Sequence, residues 1–257
     1  MNDKLQAFER LLTIMDELRE KCPWDREQTF ESLRANTLEE AYELAGAILS
    51  KDYNDMKKEL GDLLLHVVFY SKIASEEQRF TIADVMNGLC DKLVYRHPHV
   101  FGDVTVNGAG EVVENWEQLK LKEKDGNKTV LSGVPKALPA LIKANRIQEK
   151  VRAVGFDWEE RTQVWDKVEE EYRELRKEVS DNNREKTEQE FGDLLFSVVN
   201  AARLYGVDPE SALERTNQKF MKRFGYLEDR TIKAGRSLKD MTLDEMNKIW
   251  EEAKQFD

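Results

Sequence analysis

The chain is poor in residues that break or staple a backbone: 5 prolines, 13 glycines and 2 cysteines among 257 residues. Together with 35% charged residues, this excludes a disordered or fibrous chain and fits a helix-rich soluble protein. Cys22 and Cys90 lie far apart with no CxxC spacing, which excludes a disulfide framework and a cysteine zinc site; a single bridge is left open. A long hydrophobic run is missing too. The longest, Leu63-Leu64-Leu65 followed by His66 and residues 67–70, is far too short to span a bilayer. Residues 1–5 begin a charged amphipathic helix without a secretory apolar core, so a reducing cytoplasm is the expected compartment. A positive excess is also lacking. Lys+Arg total 40 against 51 for Asp+Glu, a formal net charge of −11 that repels nucleic acid and anionic membranes as main partners. A local basic pocket for a small phosphate is compatible with that balance.

What the chain does have is internal repetition. Glu39-Glu40-Ala41-Tyr42-Glu43-Leu44 returns as Glu170-Glu171-Tyr172-Arg173-Glu174-Leu175. Glu59-Leu60-Gly61-Asp62-Leu63-Leu64 returns as Glu190-Phe191-Gly192-Asp193-Leu194-Leu195, at the same offset. Lys92 and Arg96 match Lys219 and Arg223 at a slightly shorter offset, and Trp116 matches Trp250 at a slightly longer one. Two fused copies of one domain account for this. The Gly- and Val-rich stretch 102–110, the turn signal Asp125-Gly126-Asn127-Lys128 and the break Ser132-Gly133-Val134-Pro135 place repeat 1 at 1–125, a linker at 126–136 and repeat 2 at 137–257.

The apolar residues read as helix. Leu5, Phe8, Leu11, Leu12, Met15 and Leu18 follow the 3.6-residue period, as do Val164, Val168, Tyr172, Leu175 and Val179. These stripes are core faces. Val104-Thr105-Val106 is the one short strand candidate. The expected fold is all-α, a tandem repeat of a helical bundle with an acidic helix hairpin in each copy.

The acids follow a geometry of their own. At roughly 100° per residue, Glu39, Glu40 and Glu43 share one side of a helix, as do Glu59 and Asp62. Midway between the two sets lies a polar turn, Ser50-Lys51-Asp52-Tyr53-Asn54; in repeat 2 it is Ser180-Asp181-Asn182-Asn183. Antiparallel helices joined there bring both acidic sets to one height. Converging carboxylates resist ionisation unless a cation joins them. Oxygen ligands without Cys or His suit Mg²⁺, or Mn²⁺ as a substitute, and Mg²⁺ so held completes its shell with water and phosphates. A lone ExxE is ordinarily a solvated face; the repetition, and the start of apolar runs at Asp62 and Asp193, favour metal binding. No Glu-x-x-His exists for a di-iron bundle, and His66, replaced by Ser197 in repeat 2, reads as a core histidine.

Lys92 with Arg96, and Lys219 with Arg223, are spaced i,i+4 and suit a polyphosphate clamp. Trp116 and Trp250 are candidates for stacking on a base. Trp24 and Trp158 read as packing or pocket-wall residues, and His97-Pro98-His99 as a turn. Lys167 and Lys186 lie near the acidic motifs of repeat 2, where repeat 1 has Asn36 and Asp55, so repeat 2 is the better triphosphate site.

These residues resemble the MazG-type nucleoside triphosphate pyrophosphohydrolases across nearly the whole chain. The resemblance also rests on Cys22-Pro23-Trp24-Asp25-Arg26-Glu27-Gln28-Thr29, Arg96-His97-Pro98-His99-Val100-Phe101 and Gly133-Val134-Pro135. One departure is Phe30, where the family usually has His. The resemblance implies Mg²⁺-dependent cleavage of NTPs and dNTPs to monophosphate and pyrophosphate, broad specificity, and an intertwined homodimer whose C-terminal copy is the principal site. Carried over by position, Glu171, Glu174, Glu190 and Asp193 hold Mg²⁺, with Glu170 as orienter or base. Lys219 and Arg223 grip phosphates and Trp250 meets base or sugar, with Lys167 and Lys186 in support. Repeat 1 keeps Glu40, Glu43, Glu59 and Asp62, with Glu39 beside them and Lys92, Arg96 and Trp116 around them. The alternative from another class is a non-catalytic nucleotide- or alarmone-binding regulatory module, against which the intact acidic sets of both copies argue. A hydrolase that cuts at a terminal phosphate differs in releasing orthophosphate. A structural coiled coil is disfavoured because the apolar pattern breaks at each turn.

Overall fold

The computed structural model describes residues 3–122 and 129–256. The turn signal at 125–128 lies outside the described residues. Helix dominates, and no strand is present among the described residues. The fold is all-α, as the sequence pattern predicts. The strand candidate at 104–106 is irregular backbone instead: three residues with no neighbouring strand have no ladder partner.

The chain divides into two compact units, Met1–Asn107 and Gly108–Asp257. The first contains α1 (Asp3–Lys21), α2 (Pro23–Glu27), α3 (Phe30–Ser50), α4 (Tyr53–Glu76), α5 (Ile82–Arg96) and α6 (Pro98–Phe101). The second contains α7 (Ala109–Lys122), α8 (Ala140–Arg152), α9 (Val164–Ser180), α10 (Arg184–Leu204), α11 (Pro209–Lys233) and α12 (Leu243–Ala253). Pro98 opens α6 at its first turn, where its missing N–H costs nothing, so the His-Pro-His segment joins two helices. Both cysteines are free thiols.

Each unit is built on a hairpin, α3 with α4 and α9 with α10. Thr29 caps α3 through a reciprocal capping box with Ser32. The connection to α4 is two residues long. Lys51 turns the chain in the left-handed region at φ 58°, and the Asp52 side chain accepts from the Asn54 and Asp55 amides to start α4. In the second unit Asn182 takes φ 52° and Asn183 caps α10 by accepting from the Lys186 amide. The two turns use the same device at equivalent sequence positions. α1 lies against α4 in the first unit, and α8 against α10 in the second.

Met15, Leu33, Val68, Phe69 and Ile73 form the buried core of the first unit, with Phe30, Leu65 and Tyr70 against it. Val164, Leu175, Val199, Ala201 and Leu227 are buried in the second. His66 sits in the first core, its Nδ1 3.1 Å from Thr37 Oγ1, and burial lowers its pKa. It is a packed core histidine, as expected.

Asp52→Ala should lower stability by about 1 kcal/mol through loss of the α4 cap. Lys51→Gly should hold or raise it by relieving the left-handed backbone, worth roughly 1 kcal/mol. Urea denaturation of both variants checks this; a neutral Asp52→Ala would show that the turn does not depend on its cap.

Candidate active site

The matched turns set the register of the acids. Carboxylate oxygens of Glu40 and Glu43 on α3 and Glu59 on α4 all lie within 4.8 Å of one another, and so do those of Glu171 and Glu174 on α9 and Glu190 on α10. Asp62 and Asp193 stand at the edge of these triplets, close enough that each raises a neighbour's pKa, Asp62 that of Glu40 and Asp193 that of Glu190. Glu39 and Glu170 are exposed beside them.

The electrostatics show the strain of this convergence. Burial, then Asp62 and Glu43, push Glu40 up; repulsion from Glu59 pushes Glu43 up. Glu59 is pulled down by the hydrogen bond from Lys58, whose Nζ lies 2.7 Å from its Oε1. Burial, then Glu174 and Asp193, push Glu190 up. In the second cluster the lysine comes from α9: Lys167 reaches Glu171 at 2.6 Å and Glu170 at 3.0 Å, and these bonds raise its pKa. Oε2 of Glu59 and Oε2 of Glu190 are buried and have no hydrogen-bond partner. Bare carboxylate oxygens in an all-oxygen cluster are what a hard divalent cation takes up, so the residues fit Mg²⁺ or Mn²⁺.

Beside the second cluster opens a cavity of about 570 Å³, inside the range of small-molecule pockets. Lys167, Glu171 and Asp193 line it from the acidic cluster, and the Asp157–Arg203 pair adds further charge to the lining. Ile147, Val151, Phe156, Trp158 and Phe196 form its apolar walls, with Gln148 and Asn200 among them. Trp158 is thus a pocket wall, whereas its partner Trp24 is 59% exposed and not packed away.

The other expected residues are placed as follows. Lys186 approaches the buried Glu178 at 4.0 Å. Arg223 lies over the Trp250 ring, 5.6 Å from its centre, and Phe220 tilts against the same ring at 5.0 Å. Lys219, one turn before Arg223 on α11, is exposed. Lys92 is exposed and Arg96 half-buried on α5. Trp116 on α7 carries the Lys120 ammonium 4.5 Å from its ring centre. The structure therefore groups Lys167 with the carboxylates, and Arg223 with Trp250.

Sequence reasoning missed Glu178, Lys58 and the Asp157–Arg203 pair. Glu178 was legible: it continues the helix face of Glu171 and Glu174, and it adds to the charge on Glu190. Asp157 and Arg203 are far apart in sequence, and nothing local links them.

Comparison with known proteins places this arrangement in context. The MazG nucleotide pyrophosphohydrolase domain matches residues 28–101 and again 160–226. The chain is 47% identical over 253 residues to the nucleoside triphosphate pyrophosphohydrolase/pyrophosphatase MazG of Thermotoga maritima, covering 97% of this chain and 96% of that protein. It is 42% identical over 258 residues to the nucleoside triphosphate pyrophosphohydrolase of Escherichia coli K12, covering 98% of each. The enzyme of the same name from Mycobacterium tuberculosis is 38% identical over 156 residues, 59% of this chain and 47% of that one.

A raised carboxylate pKa means that the folded state holds its proton more tightly than the unfolded chain, so stability falls as pH rises through the window above 4.5. Glu190→Gln removes that liability. The melting temperature of the chelator-treated variant at pH 7.5 should exceed wild type, and the gain should shrink towards pH 5. A loss at pH 7.5 in differential scanning calorimetry would show instead that the Glu190 charge is already compensated.

Proposed function

The chain belongs to the MazG nucleotide pyrophosphohydrolase family, and we propose that it hydrolyses nucleoside triphosphates, ribo and deoxy alike, to monophosphate and pyrophosphate at the second acidic cluster with Mg²⁺. The observation that carries this reading is the triplet Glu171, Glu174 and Glu190, whose Glu171 also lines the cavity together with Lys167 and Asp193. It offers a cation site and a ligand space side by side.

Glu171, Glu174, Glu190 and Asp193 would hold the cation. Mg²⁺ bound there would supply charge neutralisation on the phosphates and a lowered pKa for its water. The chain's own residues do the rest. Glu174, exposed in the triplet, and Glu170, exposed beside it, are the candidates to accept the proton of the attacking water. That water adds to the α-phosphorus, the bridging bond to the β-phosphate breaks, and pyrophosphate leaves. Lys167 neutralises Glu170 and Glu171; a cation on Glu171 would release its ammonium to the triphosphate. Lys186 and the Lys219–Arg223 pair add positive charge for the phosphates, and Trp250 offers a ring for base or sugar. In the first cluster Glu40, Glu43, Glu59 and Asp62 would bind a cation in the same manner, with Lys92 and Arg96 of the same unit as the matching pair.

We further propose a homodimer. Leu60, Leu64 and Val67 leave an apolar stripe exposed on α4, and Phe191, Leu195 and Val198 leave the same stripe on α10. A second copy of the chain is the partner whose surface matches both. No helix among the described residues is long and apolar enough to cross a membrane. The proposed setting is nucleotide-pool housekeeping in the cytoplasm.

Incubation with Mg²⁺ and a panel of NTPs and dNTPs, followed by nucleotide separation and a pyrophosphate assay, should give monophosphate and pyrophosphate in equal amounts. Glu174→Ala should abolish turnover while the fold persists, and Glu43→Ala should leave it. Substantial activity in Glu174→Ala would assign the work to the first repeat, and orthophosphate as the product would rule out attack at the α-phosphorus. By light scattering coupled to size exclusion, wild type should run as a dimer and Leu195→Glu should shift towards monomer. A monomeric wild type would remove the dimer.

A further inference from the structure

Resting on the reading of both acidic clusters as divalent-cation sites, we propose that Lys58 is a tethered counter-cation of the first. Its ammonium occupies a ligand oxygen that a divalent ion needs, so the first cluster fills only at higher cation concentration than the second.

Lys58 and Glu59 are neighbours on α4, and Lys58 Nζ lies 2.7 Å from Glu59 Oε1. The Glu59 side chain is 1% exposed and that of Lys58 64% exposed. The ammonium therefore comes in from solvent and caps one oxygen of a buried acid. The other oxygen, Oε2, is buried without a partner. Glu59 belongs to the triplet with Glu40 and Glu43. A divalent ion bound to all three has to share Glu59 with the ammonium or displace it. Like charges on one carboxylate repel, and the exposed stem of Lys58 lets it swing out.

The second cluster is built otherwise. Gln189 stands at the position of Lys58, and Glu190, between Gln189 and Phe191, has a buried Oε2 without a partner. Its lysine, Lys167, sits on the other helix and has two acceptors, Glu171 at 2.6 Å and Glu170 at 3.0 Å. An ion that takes Glu171 leaves Lys167 paired with Glu170. Among the described residues the ion pair of Lys58 is with Glu59 alone. A divalent ion in the first cluster thus loses a charge-assisted hydrogen bond that the second cluster keeps. Such a bond corresponds to about 10-fold in affinity at its weaker end, the end that applies to an exposed lysine.

The same contact has a use when no divalent ion is bound. It supplies positive charge to acids that repel, and so steadies α3 against α4. Removing the Lys58 charge then has effects of opposite sign: the metal-free protein loses stability while the cluster gains cation affinity. A lysine that only decorates the surface would give neither effect. One that organised the ligands would give a loss of both.

Mn²⁺ is the probe, with full-length protein. Binding is read by isothermal titration calorimetry and by the paramagnetic resonance signal of free Mn²⁺, and metal-free stability by differential scanning calorimetry after chelation. Wild type should show two classes of site about 10-fold or more apart. Glu174→Gln combined with Glu190→Gln should remove the tighter class and leave the first cluster to be read alone. In that background Lys58→Gln, the exchange that separates the two repeats at this position, should tighten Mn²⁺ about 10-fold and lower the metal-free melting temperature. Saturating Mn²⁺ should close that gap in melting temperature. Lys58→Arg keeps the charge and should not tighten binding. Unchanged or weaker Mn²⁺ affinity in Lys58→Gln overturns the assignment, as does survival of the tighter class in the Glu174→Gln, Glu190→Gln protein. Mn²⁺ bound at the second cluster alone, in wild type and Lys58→Gln alike, overturns it too and leaves the second cluster as a cation site. A wild type that binds no Mn²⁺ at either cluster overturns the underlying reading as well.

Discussion

Mutual repulsion among converging carboxylates, one of each three buried, is the constraint on which the rest depends. Three glutamate side chains brought within 4.8 Å of one another cannot all be charged without a counter-charge. The structure meets this in two ways at once: one lysine is drawn in, Lys58 or Lys167, and Glu40, Glu43 and Glu190 have raised proton affinity. Neither measure satisfies Oε2 of Glu59 or Oε2 of Glu190, which stay buried without a donor. The hairpin turn creates the conflict, because a connection of two residues in the first unit and three in the second, each with a left-handed residue and a capping Asp or Asn, sets the register of the helices. A scaffold that tolerates such a cluster twice is organised around what relieves it.

The two copies then diverge around the same frame. Lysine is supplied to the first cluster by α4, from the residue next to the buried Glu59, and to the second by α9, one turn before Glu171. The second adds Glu178, where the first has the buried Ala47. Phe69 closes a position that Asn200 leaves polar. These exchanges share a direction: the first unit trades polar lining for core, and the second keeps a cavity at its acids. Net charge gives no hint of this, since the differences lie in where a handful of side chains sit.

Much of this was legible in the sequence, for identifiable reasons. Helical period and turn chemistry are local, so the hairpins, their turns and the convergence of Glu40 with Glu59, and of Glu171 with Glu190, follow from spacing alone. His66 was read as a core residue from its replacement by Ser197, and the buried contact with Thr37 agrees. The cavity was not legible. It depends on Trp158 before α9, Val151 at the end of α8 and Asn200 on α10, which come together only when α8 lies on α10. Trp24 and Trp158 look alike in sequence, yet one is mostly in solvent and the other lines a pocket, a difference set by neighbours from distant helices. The Asp157–Arg203–Asn200 chain is invisible for the same reason: each member alone is an ordinary polar residue.

The apolar stripes connect this chemistry to assembly. Leu60, Leu64 and Val67 share helix α4 with Glu59, and Phe191, Leu195 and Val198 share α10 with Glu190. These side chains are about half exposed, so covering what remains contributes roughly 0.7–1.5 kcal/mol each, a driving force for a partner that grows with three per stripe. The same helices carry the most strained carboxylates. A partner that covers the stripes would hold α4 and α10 in place from outside while the acids repel from inside. In that arrangement dimerisation and metal affinity draw on one source: packing energy keeps the ligands converged before a cation arrives, and the cation then meets a site already formed.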